Sequence, residues 1–352
     1  MKSKESIFKS KLTWAVIAEL LILVIAGILE PSFFKIEYNQ TTGMLYGSII
    51  DIINRSAEIT IIVMVMTMVI ALGGTDISVG ALVAVAGAFA LKFLRWDVTV
   101  YPTPGDYTVY PFILVIVVPL IICTLMGLFN GVLIGKFKLQ PIIATLILMV
   151  AGRGIAQIAT NGKQFTTGYT PFRFIGQGSM LGLPFPIIIT IVVCAVVMIF
   201  VRKTAFGTFV ESVGINPNAS RVTGLKSDKI IMIVYTLTGF LSGIAGLIYS
   251  SRISSCDSNN AGLNYEMDAI LAVVLGGTSM TGGKFSLTGT IVGSIIIRTI
   301  TTLVYYFGIT SESIMAFKAA IILVVIVIQS EPVGKWLATR NARKQKAGEL
   351  HG

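Results

Sequence analysis

Charge and histidine are what this sequence has least of, and their scarcity excludes most of the usual protein classes. Asp, Glu, Lys and Arg together make up 12% of the 352 residues, half of the roughly 25% carried by soluble domains. That is too little charge to cover a water-exposed globule. The only histidine, His351, lies two places from the end in a polar tail, so histidine acid–base catalysis and most zinc sites are excluded. Cysteine is sparse too: Cys123 and Cys194 fall in apolar runs and Cys256 in a polar loop, without paired spacing, so neither a disulfide framework nor a metal knot is expected. A nucleotide-binding loop is missing as well. The stretch from Gly277 to Phe285 looks like one, but Thr278 stands five places before Gly283 and Phe285 replaces the required Ser or Thr, so it is not a Walker A motif. Energy for uphill work must then come from an ion gradient or from a partner, and no cofactor is implied.

What the sequence does contain is apolar. Hydrophobic residues reach 54% and glycines number 35, with a mean hydropathy of +0.85, which rules out disorder and points to lipid-embedded helices. At about 20 residues per crossing, roughly 190 apolar residues suffice for about nine or ten spans with little left over. The expectation is an all-α polytopic membrane protein with one integral domain. Apolar runs lie near 12–29, 58–72, 77–94, 110–135, 141–160, 184–201, 229–249, 266–276, 287–307 and 314–329, about ten transmembrane helices. The first run follows Lys2, Lys4, Lys9 and Lys11 and ends at Glu30-Pro31-Ser32, without the small-residue cleavage site of a signal peptide, so it reads as an uncleaved helix.

The net charge of +10 is distributed as membrane topology rather than as a nucleic-acid surface. Arg202, Lys203, Arg221, Lys226 and Lys229 crowd one loop, and Lys335, Arg340, Arg343, Lys344 and Lys346 crowd the tail. Six crossings before that loop and four after it put the loop and both termini on one side, the cytoplasm. The domains expected are a cytoplasmic segment 1–11, a single transmembrane domain 12–330 with a cytoplasmic loop 202–228, and a basic cytoplasmic tail 331–352. The connections 95–109 and 250–265, poor in Lys and Arg, fall outside.

Two runs are short, and both end in the same tetrapeptide. Leu72-Gly73-Gly74-Thr75 recurs as Leu275-Gly276-Gly277-Thr278, either an internal repeat or a coincidence of common residues. Short, glycine-interrupted segments in two halves point to helices broken along a transport path. Acidic residues avoid the uninterrupted span centres, with Asp51, Glu58, Glu266 and Asp268 near span ends, leaving Asp76 in the Gly74–Gly80 break as the one credible intramembrane acid. It serves either as a cap for a helix opening at Ile77 or as a substrate contact. Asn130, Arg153, Gln157 and Arg298 fall within spans. Arg153 either contacts a polar substrate along the path or pins helix carbonyls. Glycines four apart at Gly127, Gly131 and Gly135, at Gly239 and Gly243, and at Gly289 and Gly293 read as close helix packing.

In the 202–228 loop, Phe206, Phe209, Val210 and Val213 fall at helical spacing with Gly214 as a stop, predicting a short amphipathic helix. Asn216 as N-cap and Pro217 at the first position open a second helix closed by Gly224. The pair forms either a docking knob for a cytosolic partner or a helix lying in the lipid interface.

Over about residues 45–330 the chain resembles the permease subunits of bacterial ABC importers for simple sugars, the ribose/galactose-type family. The resemblance is carried by Gly73-Gly74-Thr75-Asp76-Ile77-Ser78-Val79-Gly80, by Gly127-Leu-Phe-Asn130-Gly131, by Gln140-Pro141-Ile-Ile-Ala-Thr145-Leu146, and by Ala272-Val-Val-Leu-Gly276-Gly277 with Gly282-Gly283. The phrases Leu146 to Gln157 and Asp257 to Leu263 resemble the galactofuranose transporter permeases. The resemblance implies a second permease subunit, identical or homologous, two cytosolic ATP-binding subunits and an external sugar-binding protein. It also implies that 206–224 is the coupling segment, with Glu211 and Gly224 in the Glu-to-Gly arrangement of other importer classes, whose Glu-Ala-Ala signature is absent. Arg298 departs from the family, which more often has a neutral residue there.

The expected function is the non-catalytic permease, in a bacterial inner membrane, of an ATP-driven monosaccharide importer, with galactofuranose or a related hexose as the candidate cargo. The candidate path residues are Asn54, Asp76, Asn130, Arg153, Gln157 and Thr278, a mostly neutral set of donors and acceptors suited to sugar hydroxyls. The alternatives are an ion-coupled sugar carrier and an ABC permease for another small solute, such as a branched-chain amino acid or nucleoside.

Overall fold

The computed structural model describes residues 11–29, 31–39, 44–94, 111–306 and the isolated positions 316, 319, 320 and 323. The N-terminal segment to residue 10, the 95–109 connection, the basic tail and all but those four positions of the tenth apolar run lie outside the described residues. In chain order the elements are α1 (Lys11–Leu29), strands β1 (Glu37–Asn39) and β2 (Met44–Tyr46), α2 (Ser48–Ala71), α3 (Val79–Leu94), α4 (Phe112–Gly135) and α5 (Pro141–Thr160). There follow β3 (Phe165–Thr166), α6 (Thr170–Gln177), β4 (Ser179–Met180), β5 (Leu183–Pro184), α7 (Phe185–Lys203), α8 (Phe206–Ile215) and α9 (Pro217–Val222). The last are α10 (Ser227–Ile253), β6 (Ser255–Cys256), α11 (Tyr265–Leu275) and α12 (Leu287–Tyr306). Five of these, α4, α5, α7, α10 and α12, are long and apolar enough to cross a membrane. The chain is a polytopic helical membrane protein.

Two helices form the interior rather than the lipid-facing wall. Every residue of α2 from Ser56 to Ala71 is buried, as is nearly all of α3, so polar side chains there bond to protein instead of facing hydrocarbon. Thr60 pairs with Ser294 at 2.8 Å and Thr67 donates to Thr290 at 2.9 Å, two rungs joining α2 to α12. The first of the two short runs is therefore not a short helix. With 24 residues α2 starts at Ser48, and it carries Asp51 and Arg55, which pair one turn apart, and Glu58 in its middle. Those charges broke the apolar window without breaking the helix. Only α11, at 11 residues, is short.

The glycine spacings do pack helices closely. A methyl at Gly127 would lie 2.4 Å from the Tyr235 carbonyl oxygen, and one at Gly239 would lie 2.1 Å from that of Cys123, so α4 and α10 cross backbone to backbone.

The bundle has two distinct ends. At one, the C-terminal end of α2 meets α8 and the 276–286 loop, and Lys138 and Arg221 both bond Asp228. At the other, β3 pairs with β6, setting Phe165 opposite Cys256, and the β4–β5 hairpin bonds to β2 through Leu45 and Gly182. Beside it, hydrogen bonds from Lys35 and Tyr46 and the neighbouring Lys35 charge hold the Glu37 carboxyl below its usual range. Helix α6, which has no counterpart among the apolar runs, braces this end: Gln177 donates to the Arg252 carbonyl at 2.7 Å.

Candidate functional site

Both Gly-Gly-Thr segments end a helix in the same way. Beyond Ala71, the Gly73 amide bonds the Ile70 carbonyl and the Gly74 amide bonds that of Val69. Beyond Leu275, the Gly277 and Thr278 amides bond Val274 and Val273. Each is a Schellman cap, with left-handed φ of +77° at Gly73 and +87° at Gly277, which a glycine adopts without strain. The tetrapeptides are nevertheless out of step. Leu72 lies past the end of α2, whereas Leu275 is the last residue of α11, so the first glycine turns the chain in one break and the second does so in the other.

Past the first break the chain runs extended to α3, which opens at Val79 rather than Ile77. Asp76 is 1% exposed, and its Oδ1 accepts from the Ser78 amide at 2.8 Å and from Ser78 Oγ at 2.6 Å. It thus closes the turn before the helix. Asn130 Nδ2 on α4 donates to Ser78 Oγ at 3.3 Å. Facing this turn are two buried polar atoms with no partner among the described residues, Asn130 Oδ1 and Tyr235 Oη on α10. Leaving such a group unpaired costs about 1–3 kcal/mol, and a hydroxyl arriving beside either would recover it.

Arg153 and Gln157, one turn apart on α5, both hold the 257–261 loop. Arg153 donates to the carbonyls of Ser258 at 3.1 Å and Ala261 at 2.5 Å, and Gln157 Nε2 donates to Asn259 Oδ1. Of its two readings, the geometry has Arg153 pinning carbonyls. Asp257 closes the loop, accepting from the Asn259 amide at 2.9 Å and from Asn260 Nδ2 at 2.6 Å. Gln157, Asn259 and Asn260 are exposed and make a rim of amides at this mouth of the bundle.

The remaining expected path residues lie elsewhere. Asn54 accepts from Arg252 through its carbonyl at 2.6 Å, beside the 3.3 Å pair between Arg252 and the buried Glu58. Thr278 Oγ1 accepts from the Ser286 amide at 3.3 Å and closes the loop after α11. Arg298 bonds Tyr265. So Asp76 joins Asn130, Arg153 joins Gln157, and Asn54 and Thr278 stand apart from both.

Two expectations about acidic residues need correction. Glu58 sits mid-helix, and Glu19, in the middle of α1, accepts from Thr299 Oγ1 on α12 at 2.8 Å, so acids do occur in helix centres and Asp76 does not stand alone. Tyr235 and Arg252 were not anticipated. Tyr235 lies seven places before Ser242 on the same face of α10, and both are buried, a spacing that marks a polar stripe.

In the 202–228 segment, Asn216 Oδ1 accepts from the amides of Asn218 and Ala219, each at 3.0 Å, and caps α9 as expected. Gly224 takes φ +89° beyond its end. Gly214 is not a stop, since α8 continues to Ile215. The apolar stripe is turned inward: Phe206, Val210 and Val213 are buried in the chain's own core, so neither lipid nor a partner receives them. What α8 and α9 present outward is Phe209, 37% exposed, with Ile215 at 70% and Val222 at 91%; Glu211 is half-buried.

The family described as "Branched-chain amino acid transport system / permease component" matches residues 48–328. The galactofuranose transporter permease protein of Escherichia coli K12 is 41% identical over 317 residues, covering 90% of this chain and 88% of its own. The fructose import permease protein of Bifidobacterium longum is 37% identical over 347 residues, covering 97% and 94%. The ribose import permease protein of Haemophilus influenzae is 36% identical over 315 residues, covering 88% and 90%. No solved structure matches. With its core helices, both Gly-Gly breaks and the α8–α9 pair inside the matched span, the chain belongs to this family of transport-system permeases.

Proposed function

We propose that this chain is the membrane permease of an ATP-driven importer for a monosaccharide, with galactofuranose or a related hexose as the first candidate. The observation that carries this reading is identity of 36–41% across nine-tenths of the chain to permeases named for galactofuranose, fructose and ribose. The site chemistry agrees with it. Uncharged amides and hydroxyls at the mouth, at Gln157, Asn259 and Asn260, and in the buried turn, at Ser78, Asn130 and Tyr235, can exchange hydrogen bonds with sugar hydroxyls without trapping them. Against the ion-coupled alternative, Asp76 is engaged by Ser78, and one oxygen each of Glu19 and Glu58 is held by Thr299 and by Arg252.

The partners are two cytosolic ATP-binding subunits, an external sugar-binding protein and a second permease subunit. The chain itself carries out no chemistry. Both termini and the 202–228 segment face the cytoplasm, as the clustering of basic residues requires. Docking of the ATP-binding subunit uses Phe209, Ile215 and Val222, the apolar side chains that the fold leaves exposed. In proteoliposomes holding the whole complex, Phe209→Asp should release the ATP-binding subunits, because the new charge would have to be desolvated at the interface. Uptake of labelled hexose should stop. Full uptake by this variant would remove the docking assignment, and uptake of a branched-chain amino acid but no sugar would remove the cargo.

A further inference from the structure

The Schellman cap at Gly73 and Gly74 leaves the last carbonyl of α2 to be satisfied by a distant segment. Carbonyls in the last turn of a helix have no intrahelical partner, and the Ala71 carbonyl is satisfied from far away in sequence: the Gly283 amide donates to it at 2.8 Å. Helix α8 lies directly on this bond. A methyl at Gly214 would come within 1.8 Å of the Ala71 oxygen and 2.9 Å of the Gly283 nitrogen. Gly282 completes the contact, since a methyl there would be 3.0 Å from the Gly214 carbonyl oxygen and 3.1 Å from both the Ala71 oxygen and the Gly73 nitrogen. Three segments distant in sequence thus touch backbone to backbone at one point, with no side chain between them to absorb a displacement.

The segments are not arbitrary. Ala71 and Gly73 belong to the first Schellman cap, Gly282 and Gly283 to the loop leaving the second at Gly277, and Gly214 to the helix whose neighbouring exposed residues are proposed to dock the ATP-binding subunit. The geometry points to Gly214 as the positioning residue of a mechanical joint, through which movement of α8 is passed to both helix breaks at once. This rests on the docking assignment made above. Side chains in a packed contact yield by changing rotamer, but a contact of amide, carbonyl and Cα does not, so α8 and the two breaks move as one body. A methyl at Gly214 forces α8 off the Ala71 carbonyl and separates the drive from the path while leaving the docking side chains untouched.

The test is the ratio of sugar taken up to ATP hydrolysed by the complete complex in proteoliposomes. That ratio does not depend on how much protein survives purification, so a merely structural defect would leave it unchanged. Gly214→Ala should keep its ATP-binding subunits while the ratio falls about tenfold, within the range of ordinary coupling energies. Gly182→Ala, in the β4–β5 turn outside the coupling segment, serves as control, because its φ of +78° strains a side chain as much as Gly283 does but nothing lies within 4 Å of it; its ratio should stay at the wild-type value. Gly283→Ala, strained at φ +92° on the other side of the joint, should reproduce the Gly214 effect and decides the matter if Gly214→Ala does not accumulate. A wild-type ratio in whichever of these two variants accumulates, or an equal fall in Gly182→Ala, overturns the joint. Failure of the docking assignment is read separately, from Phe209→Asp retaining the ATP-binding subunits.

Discussion

The two Gly-Gly-Thr breaks share a cap and a contact with α8 at Gly214 but differ in where the chain goes next. After Gly74 the chain stays inside the protein, and the turn at Asp76 and Ser78 is wrapped by Asn130 and Tyr235, with unpaired polar atoms at hand. After Gly277 it emerges into a loop where Met280, Thr281 and Lys284 are exposed and where the hydroxyl of Thr278 serves the loop's own backbone. One sequence signal therefore makes a polar turn in the interior and a surface hinge beside α8. The cap decides only that the helix stops. What the break does depends on which helices close over it.

Substitutions can break or sharpen this contrast. The largest effect is expected at Gly276, where an added β-carbon would lie 2.6 Å from both the Gly289 carbonyl carbon and the Thr290 nitrogen. No rotamer relieves a clash with backbone, so Gly276→Val should cost about 3 kcal/mol or more and lose the monodisperse peak on size-exclusion chromatography. A normal peak and melting temperature would show that α11 and α12 are not held in contact there.

An intermediate effect is expected at the first break. Asn130→Leu removes the donor to Ser78 but also one unpaired oxygen, so its melting temperature should change little. Uptake by the complex should nonetheless fall about tenfold, the equivalent of one buried hydrogen bond. Unchanged uptake would take Asn130 out of the path. The smallest effect belongs to Thr278→Val, which keeps the shape and removes the acceptor for the Ser286 amide, at about 1 kcal/mol of stability and no change in uptake. Greater transport loss here than in Asn130→Leu would reverse the assignment of the two breaks.

Parts of the site were legible in the sequence because their causes are local. Asn216 with Pro217 states a helix start whatever surrounds it, and Gly73 and Gly277 mark where helices end. The glycines four apart on α4 and α10 announce close packing, since nothing else in a membrane rewards their absent side chains. Other parts were not legible because their causes are remote. The charges of Asp51, Arg55 and Glu58 hid the first half of α2, and only Arg252, about 200 residues later in sequence, explains a buried Glu58. Glu19 likewise depends on Thr299. Two-residue strands such as β3 and β6 carry no periodicity, and α6, eight residues long, is too short and polar to register as a span.

The sequence by itself thus determined a membrane protein of many helices, the two broken helices and the capped pair in the basic loop, because burial in lipid and local capping act on neighbouring residues. Tertiary structure alone decided which of those helices lies inside, that the stripe of Phe206, Val210 and Val213 faces the chain's own core while Phe209 faces out, and that Gly214 meets Ala71 and Gly283. The physical reason is the same in each case. An apolar or small residue states only that it must be covered, and the identity of the cover is settled by packing.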